Sequence, residues 1–511
     1  MQNKVINFFK EIFNFSTETK IDRFLEEIKK EANDTRTTML SHYQGARKDR
    51  LTDDWTSVNN SFSANLKRDL KTLIGRSTNL CDNNTLAGSI LESLVNNCIG
   101  TGIEVYSRVK NSDGSLNKKI NSRIDELWKI YIDEWAAEED ANYYSYQEVR
   151  FTEMFISGTT ITNVIKSNNK SDIIPIRNQV ISSLRLDDTK DDPTPSLLEK
   201  YGISRTLFGI NTNSVGKHIS YWINGIKDPI SSNRMKAHFF KKRAEQILGI
   251  PALAKSMKYL WGIDNLFADR LVASRILSRI ALYIPSALSN KMLGEDADSN
   301  NNIPWEAGSV FTGNKEDKPE VIQGNDDVSN IIEPLTKAIT HTITASLGVS
   351  YQTITRDLNK ASMASARVNV SQDRAMFRKV QNRFIDTVLK WDRFQFMNAI
   401  VKEGLLKDVG IDVATYLQDQ KNILNSYYQT PGFDMIDPKA ETLAAIEAVR
   451  AGMGTKQKWF ARGGDNYENE LPQMIKEKKD EKGLLDEPTT NEESGNKSNE
   501  KKEGAKNDKR T

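Results

Sequence analysis

The chain has 511 residues but only two cysteines, Cys81 and Cys98, and four histidines, His42, His218, His238 and His341, with no ligand spacing among them. That count excludes a disulfide scaffold and leaves a structural zinc site without a ligand set. No window approaches the roughly 18 consecutive apolar residues that a membrane span needs, so no membrane partner is expected. The opening MQNKVINFFKEIFNF interrupts its apolar pairs with Lys4, Lys10 and Glu11 and lacks a small-residue cleavage site. It reads as an amphipathic helix in a reducing cytoplasm and not as a secretory signal. An excess of one charge is missing too: 71 Lys and Arg against 69 Asp and Glu give a formal net charge of +2. No global pull toward nucleic acid or anionic lipid follows from that balance, and any DNA contact is expected to be local.

Catalytic signatures are absent or broken. Gly216 and Lys217 form a "GK", but Asn211 stands where a phosphate loop needs its first glycine and His218 replaces the Ser/Thr that would hold magnesium. There is no HExxH, GxSxG or CxxC. Asp465, Glu468 and Glu470 have helix-like spacing near a polar tail, where a solvated face is the ordinary reading. The chain is read as a non-enzyme without a cofactor.

What the sequence has is helical periodicity. Residues 1–35 form a polar helical extension with Ile12, Phe15, Ile21, Phe24 and Ile28 at mixed three and four spacings. Residues 36–250 alternate helical runs at 85–98 and 118–136 with strand-like runs near 159–166, 181–186 and 218–223, an α+β domain. Trp128 and Trp135, seven apart, are expected in its core. His238, in a strand-like run, is expected to be buried and hydrogen-bonded. From 251 to 284 a stripe through Met257, Leu260, Leu266, Leu271 and Ile280 predicts one helix of about 30 residues, roughly 45 Å long, opened by Pro251 and closed by Pro285. Residues 285–328 turn acidic and loop-rich, with short strands expected at 309–311 and 321–322. A second helix is expected over 329–348. Ser362–Glu403 contains neither Gly nor Pro and carries Phe377, Phe384, Val388, Trp391 and Ile400 in a helical stripe, a second rod of roughly 60 Å. Shorter helices follow to about 470. In 471–511, ten basic and ten acidic residues interleave with few apolar ones, and this tail is expected to be disordered. The fold class is α+β, predominantly α.

Charge is distributed unevenly. Residues 205–258 hold ten basic residues against two acidic, including the aromatic-bearing MKAHFFKKR. Such a patch can bind nucleic acid, although the plainer reading is a solvated domain surface. Residues 286–330 reverse the sign, with nine acidic against three basic.

Six blocks, in order, resemble one family, the lambda-type portal proteins of tailed phages: ARKDRLTDDW (46–55), RSTNLCDNNTLAGSILESLVNNCIGTGI (76–103), AHFFKKRAEQILGIP (237–251), WEAGSVFTGNKEDKP (305–319), LGVSYQTITRDLNKASMASAR (347–367), and DPKAE (437–441) with GMGT and GGD after it. SMAS at 362–365 departs from the aromatic and paired serines that members often carry. The resemblance implies a wing (36–250), a first stem helix (251–284), a small β-containing clip (285–328), a second stem helix (329–348), a tunnel loop (349–362), a long helix returning through the wing (363–404) and a helical crown (405–470). These would assemble into a closed ring, a dodecamer, around a central channel at one capsid vertex.

The same resemblance implies packaging and ejection of double-stranded DNA without sequence specificity, nucleation of head assembly with scaffold and major capsid protein, and docking of the terminase large subunit and of head-completion proteins. It places the protein in the virion, and in the host cytoplasm during assembly. Arg356 and Lys360 would repeat around the ring as a belt touching phosphates without reading bases. Glu306, Glu316, Asp317 and Glu320 would present the clip to its partners. A packaging ATPase or nuclease would need a phosphate loop or clustered carboxylates that the sequence lacks. A channel-free helical scaffold or minor virion protein would explain the rods and the tail equally well.

Overall fold

The computed structural model describes Glu26 and residues 61–138, 140–167, 169, 172–191, 202–285, 309–313, 326–357, 362–465 and 467–485. The chain divides into two compact units, Met1–Asn65 and Leu66–Thr511. In the first, the described residues are Glu26, which is helical, and 61–65, which enter helix α1 (Phe62–Asn83). The second unit carries the architecture that follows.

Three helices of this unit are opened by asparagine. Asn84 caps α2 (Thr85–Cys98), accepting from the Ala87 N–H at 2.9 Å. After strand β1 (Glu104–Ser107), Asn117 caps α3 (Lys118–Asp133) and Asn142 caps α4 (Tyr143–Ile156). Each side-chain oxygen satisfies an N–H that the first helical turn leaves without a partner. Downstream of the caps, apolar residues return every three or four positions and face one core: Ala87, Ile90, Leu94 and Cys98 in α2, and Ile124, Leu127, Trp128 and Tyr131 in α3. Trp135 lies beyond the end of α3 and is fully buried in the same core.

Two sheets follow. Strand β2 (Thr159–Lys166) is the centre of a three-stranded antiparallel sheet between β3 (Ile176–Ser182) and β8 (Met235–Phe239). Its first six residues are buried, as expected for a strand covered on both faces. The strand-like run read near 181–186 is displaced: β3 ends at Ser182, whose side chain accepts from Leu184 N–H and turns the chain into a 3₁₀ helix over Ser183–Arg185. The second sheet is a four-stranded meander of β4 (Arg205–Leu207), β5 (Ile210–Thr212), β6 (His218–Tyr221) and β7 (Ile230–Ser231). Phe208 and Gly209, both with positive φ, form the two-residue turn between β4 and β5, the backbone twist that tight hairpins favour. Beneath β2, Gly158 and Gly249 meet so closely that a Cβ on Gly249 would overlap the Gly158 carbonyl.

The single rod expected over 251–284 is corrected. Pro251 precedes a 3₁₀ turn (Ala252–Lys255), helix α5 runs Met257–Arg279, and Ile280–Pro285 is strand β9, paired in parallel with β10 (Ser309–Gly313). Ile280, Tyr283 and Ile284 are β-branched or aromatic and favour a pleated surface, so the helix is 23 residues long, roughly 35 Å. Val321 and Ile322 lie outside the described residues.

Helix α6 (Asp326–Leu347) returns alongside α5, and Ser256 Oγ and Ser346 Oγ, 2.6 Å apart, pin the start of one to the end of the other. After the short α7 (Tyr351–Thr355), the chain is helical without interruption from Met363 to Lys402: α8 (Met363–Phe384), a π turn (Ile385–Leu389) and α9 (Lys390–Lys402). This is the core's central element. Phe377, Phe384, Val388, Phe396 and Ile400 are all buried in it, and Trp128 meets the Phe396 ring edge-on at 4.8 Å.

Two short helices, α10 (Val413–Gln418) and α11 (Gln420–Ile423), bring the chain to β11 (Ser426–Gln429). This strand pairs antiparallel with β1, Glu104 opposite Gln429 and Ser107 opposite Ser426. Leu406, Ile411, Tyr416 and Ile423 join the core of α2–α4. Helices α12 (Pro438–Arg450), α13 (Lys456–Gly463) and α14 (Tyr467–Leu485) complete the described residues. The disorder expected from 471 onward is corrected as far as Leu485: that stretch continues α14, whose exposed surface carries an i,i+4 hydrogen bond from Gln473 to Glu477.

Candidate functional site

Of the six positions singled out as site residues, Arg356 is described. Lys360, Glu306, Glu316, Asp317 and Glu320 lie outside the described residues. Arg356 is exposed and ends α7 in the left-handed conformation, φ 56° and ψ 19°, with its N–H donating to the Gln352 carbonyl at 2.8 Å. A side chain with a Cβ is seldom held there.

The turn that presents Arg356 is built from below. Gly348, at φ +77°, ends α6, and Ser350 caps α7. The buried Asp373 of α8 then accepts from Ser350 N–H at 2.9 Å, from Ser350 Oγ at 2.6 Å and from Thr353 Oγ1. One carboxylate thus fixes the turn to the long helix. From the other side Tyr351 stacks on His341 of α6, ring centres 4.4 Å apart, with the Lys337 ammonium 5.4 Å from the same ring. The short helix that Ser350 caps lies in the segment read from the sequence as a polar loop. Nothing local marks Asp373, which sits 20 residues from its nearest hydroxyl partner.

Beside this turn lies a groove of about 1080 Å³ between α5 and α6, lined among others by Ile263, Phe267, Arg270, Thr336, Tyr351 and Asp357. Arg270 Nη2 and Thr336 Oγ1 are buried and have no hydrogen-bond partner among the described residues. On the outer flank of α5, Trp261 is 64% exposed and Leu271 60%, with Phe267 and Val272 about half exposed. At 100° per residue these four fall within roughly 140° of the helix surface.

The basic run MKAHFFKKR is divided by its fold. Ala237 and His238 are buried in β8, Phe239 stacks on His218, and Phe240 lies under the Arg383 guanidinium at 4.9 Å. Both phenylalanines are half-buried and already packed against these partners. His238 Nδ1 lies 2.7 Å from the Thr387 carbonyl, inside the π turn where the helical ladder is interrupted. Burial, reinforced by Lys236 and Arg150, holds the His238 pKa well below the ordinary imidazole value. Burial likewise lowers His218, to about 4. Among the described residues no helix is long and apolar enough to cross a membrane, and no group of three or more acidic, His or Cys side chains is arranged to hold a metal.

Residues 48–381 match the model of the family described as phage portal protein, lambda family. The chain is 23% identical over 472 residues to a probable portal protein of Halomonas phage phiHAP-1, covering 86% of this chain and 87% of that one. Among solved structures it is similar to a chain in the virion of a native gene transfer agent particle, with a TM-score of 0.42 and 12% identity over 78% of this chain and 94% of that one. A chain in the neck of an empty gene transfer agent particle matches over the same shares at a TM-score of 0.40 and 12% identity. With a family match that spans well over half its length, the chain belongs to the lambda family of phage portal proteins.

Proposed function

We propose that this portal protein closes, twelve copies to a ring, around a channel at one vertex of the phage head, and that double-stranded DNA enters and leaves through it. The observation that carries the ring is the flank of α5. Trp261, Phe267, Leu271 and Val272 are left to water in the single chain, although a patch of this kind ordinarily marks a protein interface. The unpartnered Arg270 Nη2 and Thr336 Oγ1 in the adjacent groove support the same reading, because buried polar groups normally find partners. A neighbour's surface would cover the first and supply the second. A head-to-tail interface whose rotation closes gives a ring.

The division of labour is proposed on the family's plan: wing over 36–250, stem helices within 251–284 and 329–348, clip over 285–328, tunnel loop over 349–362, long helix over 363–404, crown over 405–470, with 1–35 and 471–511 as extensions. The first part of the crown segment, to Gln429, packs in the wing core. Arg356 and Lys360 touch DNA phosphates, and the clip carboxylates Glu306, Glu316, Asp317 and Glu320 receive head-completion proteins. The near-neutral chain suits a conduit, since each neutralised phosphate strengthens DNA binding through counterion release and a uniformly basic wall would stall its cargo. Terminase supplies the ATP chemistry, scaffold and major capsid protein surround the ring during assembly in the host cytoplasm, and the finished ring stays in the virion.

Electron microscopy of the purified chain with light-scattering mass tests the ring. A particle with a central hole and a mass near twelve times 57.9 kDa is expected, and Leu271→Asp should leave monomers. A stable monomer in the presence of scaffold would favour the channel-free structural reading. For the belt, Arg356→Ala with Lys360→Ala should impair DNA retention; unchanged packaging and retention would sink it.

A further inference from the structure

Past β11 the chain folds back on the long helix. The Pro431–Phe433 segment and the end of α13 approach through glycine, because a Cβ on Gly432 would overlap the backbone of Gly463. The Phe433 N–H donates to the Arg462 carbonyl at 3.3 Å. Between this contact and α8 lies a cavity of about 470 Å³, whose walls include Arg378, Lys458, Arg462, Phe433, Trp459 and Met453. That is a size ordinary for a small-ligand site.

The charge inside it is of one sign. Arg378, Lys458 and Arg462 are exposed, none has an ion pair among the described residues, and no carboxylate lines the cavity. Of the carboxylates nearby, Asp437 pairs with Arg367 at 3.2 Å and Glu441 accepts from the Ile436 N–H at 3.0 Å; Asp434 acts on Arg374 and Asp465 lies beside Gly463, and neither lines the cavity. Arg374 stands just behind, 5.4 Å from the centre of the same Phe433 ring that Arg378 covers at 5.5 Å. Burial lowers the Arg374 pKa; Glu441 opposes the shift, and Arg378 and Arg462 reinforce it. The Arg462 guanidinium lies 4.8 Å from the centre of the Trp459 ring, which orients it while its donors stay available. A group of cations held by aromatic rings and lacking a counter-ion is completed by an anion. Two guanidinium forks and an ammonium around one cavity suit the several oxygens of a phosphate better than one planar carboxylate, and the ring faces give a wall for the sugar or base attached to it.

We infer that this cavity is a phosphate-binding site, in which Arg378, Lys458 and Arg462 hold a phosphate carried by a DNA strand or a free nucleotide against Phe433 and Trp459. The site lies within one chain and does not require the ring; only the DNA source rests on the channel reading.

The test uses the full chain and three probes: a labelled 20-base-pair duplex followed by fluorescence anisotropy, adenosine monophosphate followed by thermal shift, and a polyglutamate peptide. The Arg378→Ala/Arg462→Ala variant should lose at least tenfold in affinity for the phosphate-bearing probes at about 0.1 M salt. With the duplex, its log–log salt slope should fall by about 2. The exposed Lys458→Gln alone should lose several-fold, which keeps the test open if the double variant folds poorly. Lys227→Ala, an exposed cation between β6 and β7, should leave nucleotide binding unchanged. Binding of duplex but not nucleotide would assign the phosphate to DNA, and binding of both to either source. Unaltered binding in the variants, or polyglutamate binding as tightly as the phosphate probes, would overturn the inference. If no ring forms but the variants still lose phosphate binding, the channel reading falls and this site stands.

Discussion

Arg150 of α4 and Asp392 of α9 face each other at 2.7 Å with both side chains fully buried. Tyr143 donates to the same carboxylate oxygen, Arg150 Nε donates to the Tyr146 carbonyl, and the guanidinium lies 4.6 Å from the Trp135 ring centre. Removing one member leaves the other charged and dry, which typically costs about 3–5 kcal/mol. Asp392→Ala should therefore lower stability by about that much in urea unfolding, whereas Arg150→Met with Asp392→Leu should recover most of it. A double variant as unstable as the sum of the two single ones would show that the pair is not coupled.

Asp373 fixes the turn before the long helix by three accepted hydrogen bonds. Asp373→Ala leaves the Ser350 N–H and two hydroxyls without their acceptor, at about 1–3 kcal/mol for a bond to a charged group. The turn around Arg356 should lose amide protection from hydrogen exchange while β2 keeps it. Uniform protection across both would contradict the anchoring role.

Arg356 holds a left-handed conformation that costs a residue with a Cβ on the order of 1 kcal/mol. Arg356→Gly should thus leave thermal stability unchanged or slightly raised while removing the cation. A loss of DNA retention in that variant would separate charge from folding. A marked drop in melting temperature would mean the side chain itself supports the turn.

His238 and His218 both have folded pKa values below that of a free imidazole. The unfolded chain therefore takes up protons that the folded chain refuses. Stability is present in full above pH of about 6.5 and is lost as pH falls below it, at up to about 1.4 kcal/mol per pH unit for each histidine. For His218 the loss continues down to about 4. Urea midpoints measured from pH 7 to pH 5 should fall, and His238→Gln should flatten the decline. A flat profile in the native chain would contradict buried neutral imidazoles.

The helices around the core were legible because each carries an apolar period: α2 could be read from the repeat of Ala87, Ile90 and Leu94. The end of α5 was not, since Ile276, Leu277 and Ile280 fit a helical stripe as well as a strand, and only the partner at Ser309–Gly313 decides between them. Family membership was legible because it is spread over six separated blocks. The site was legible in part. Arg356 stood out as a cation in a polar loop, but Asp373 beneath it and Asp392 opposite Arg150 are polar residues inside helices, and their partners lie 20 or more positions away. The same holds for Arg378, Lys458 and Arg462, which become one site only when the segment after β11 folds back on α8.

The pairing of β1 with β11 sets the order of events on the ribosome. Val105 is buried and lies opposite Tyr428, so the sheet that completes the core waits until Ser426–Gln429 has been made. At roughly 5–20 residues per second, the stretch between the two strands takes on the order of half a minute to synthesise, and for that time the half-made protein holds an open edge. A chain stopped before Ser426 leaves the β1 edge unpaired, so truncation there should cost more stability than truncation after Gln429.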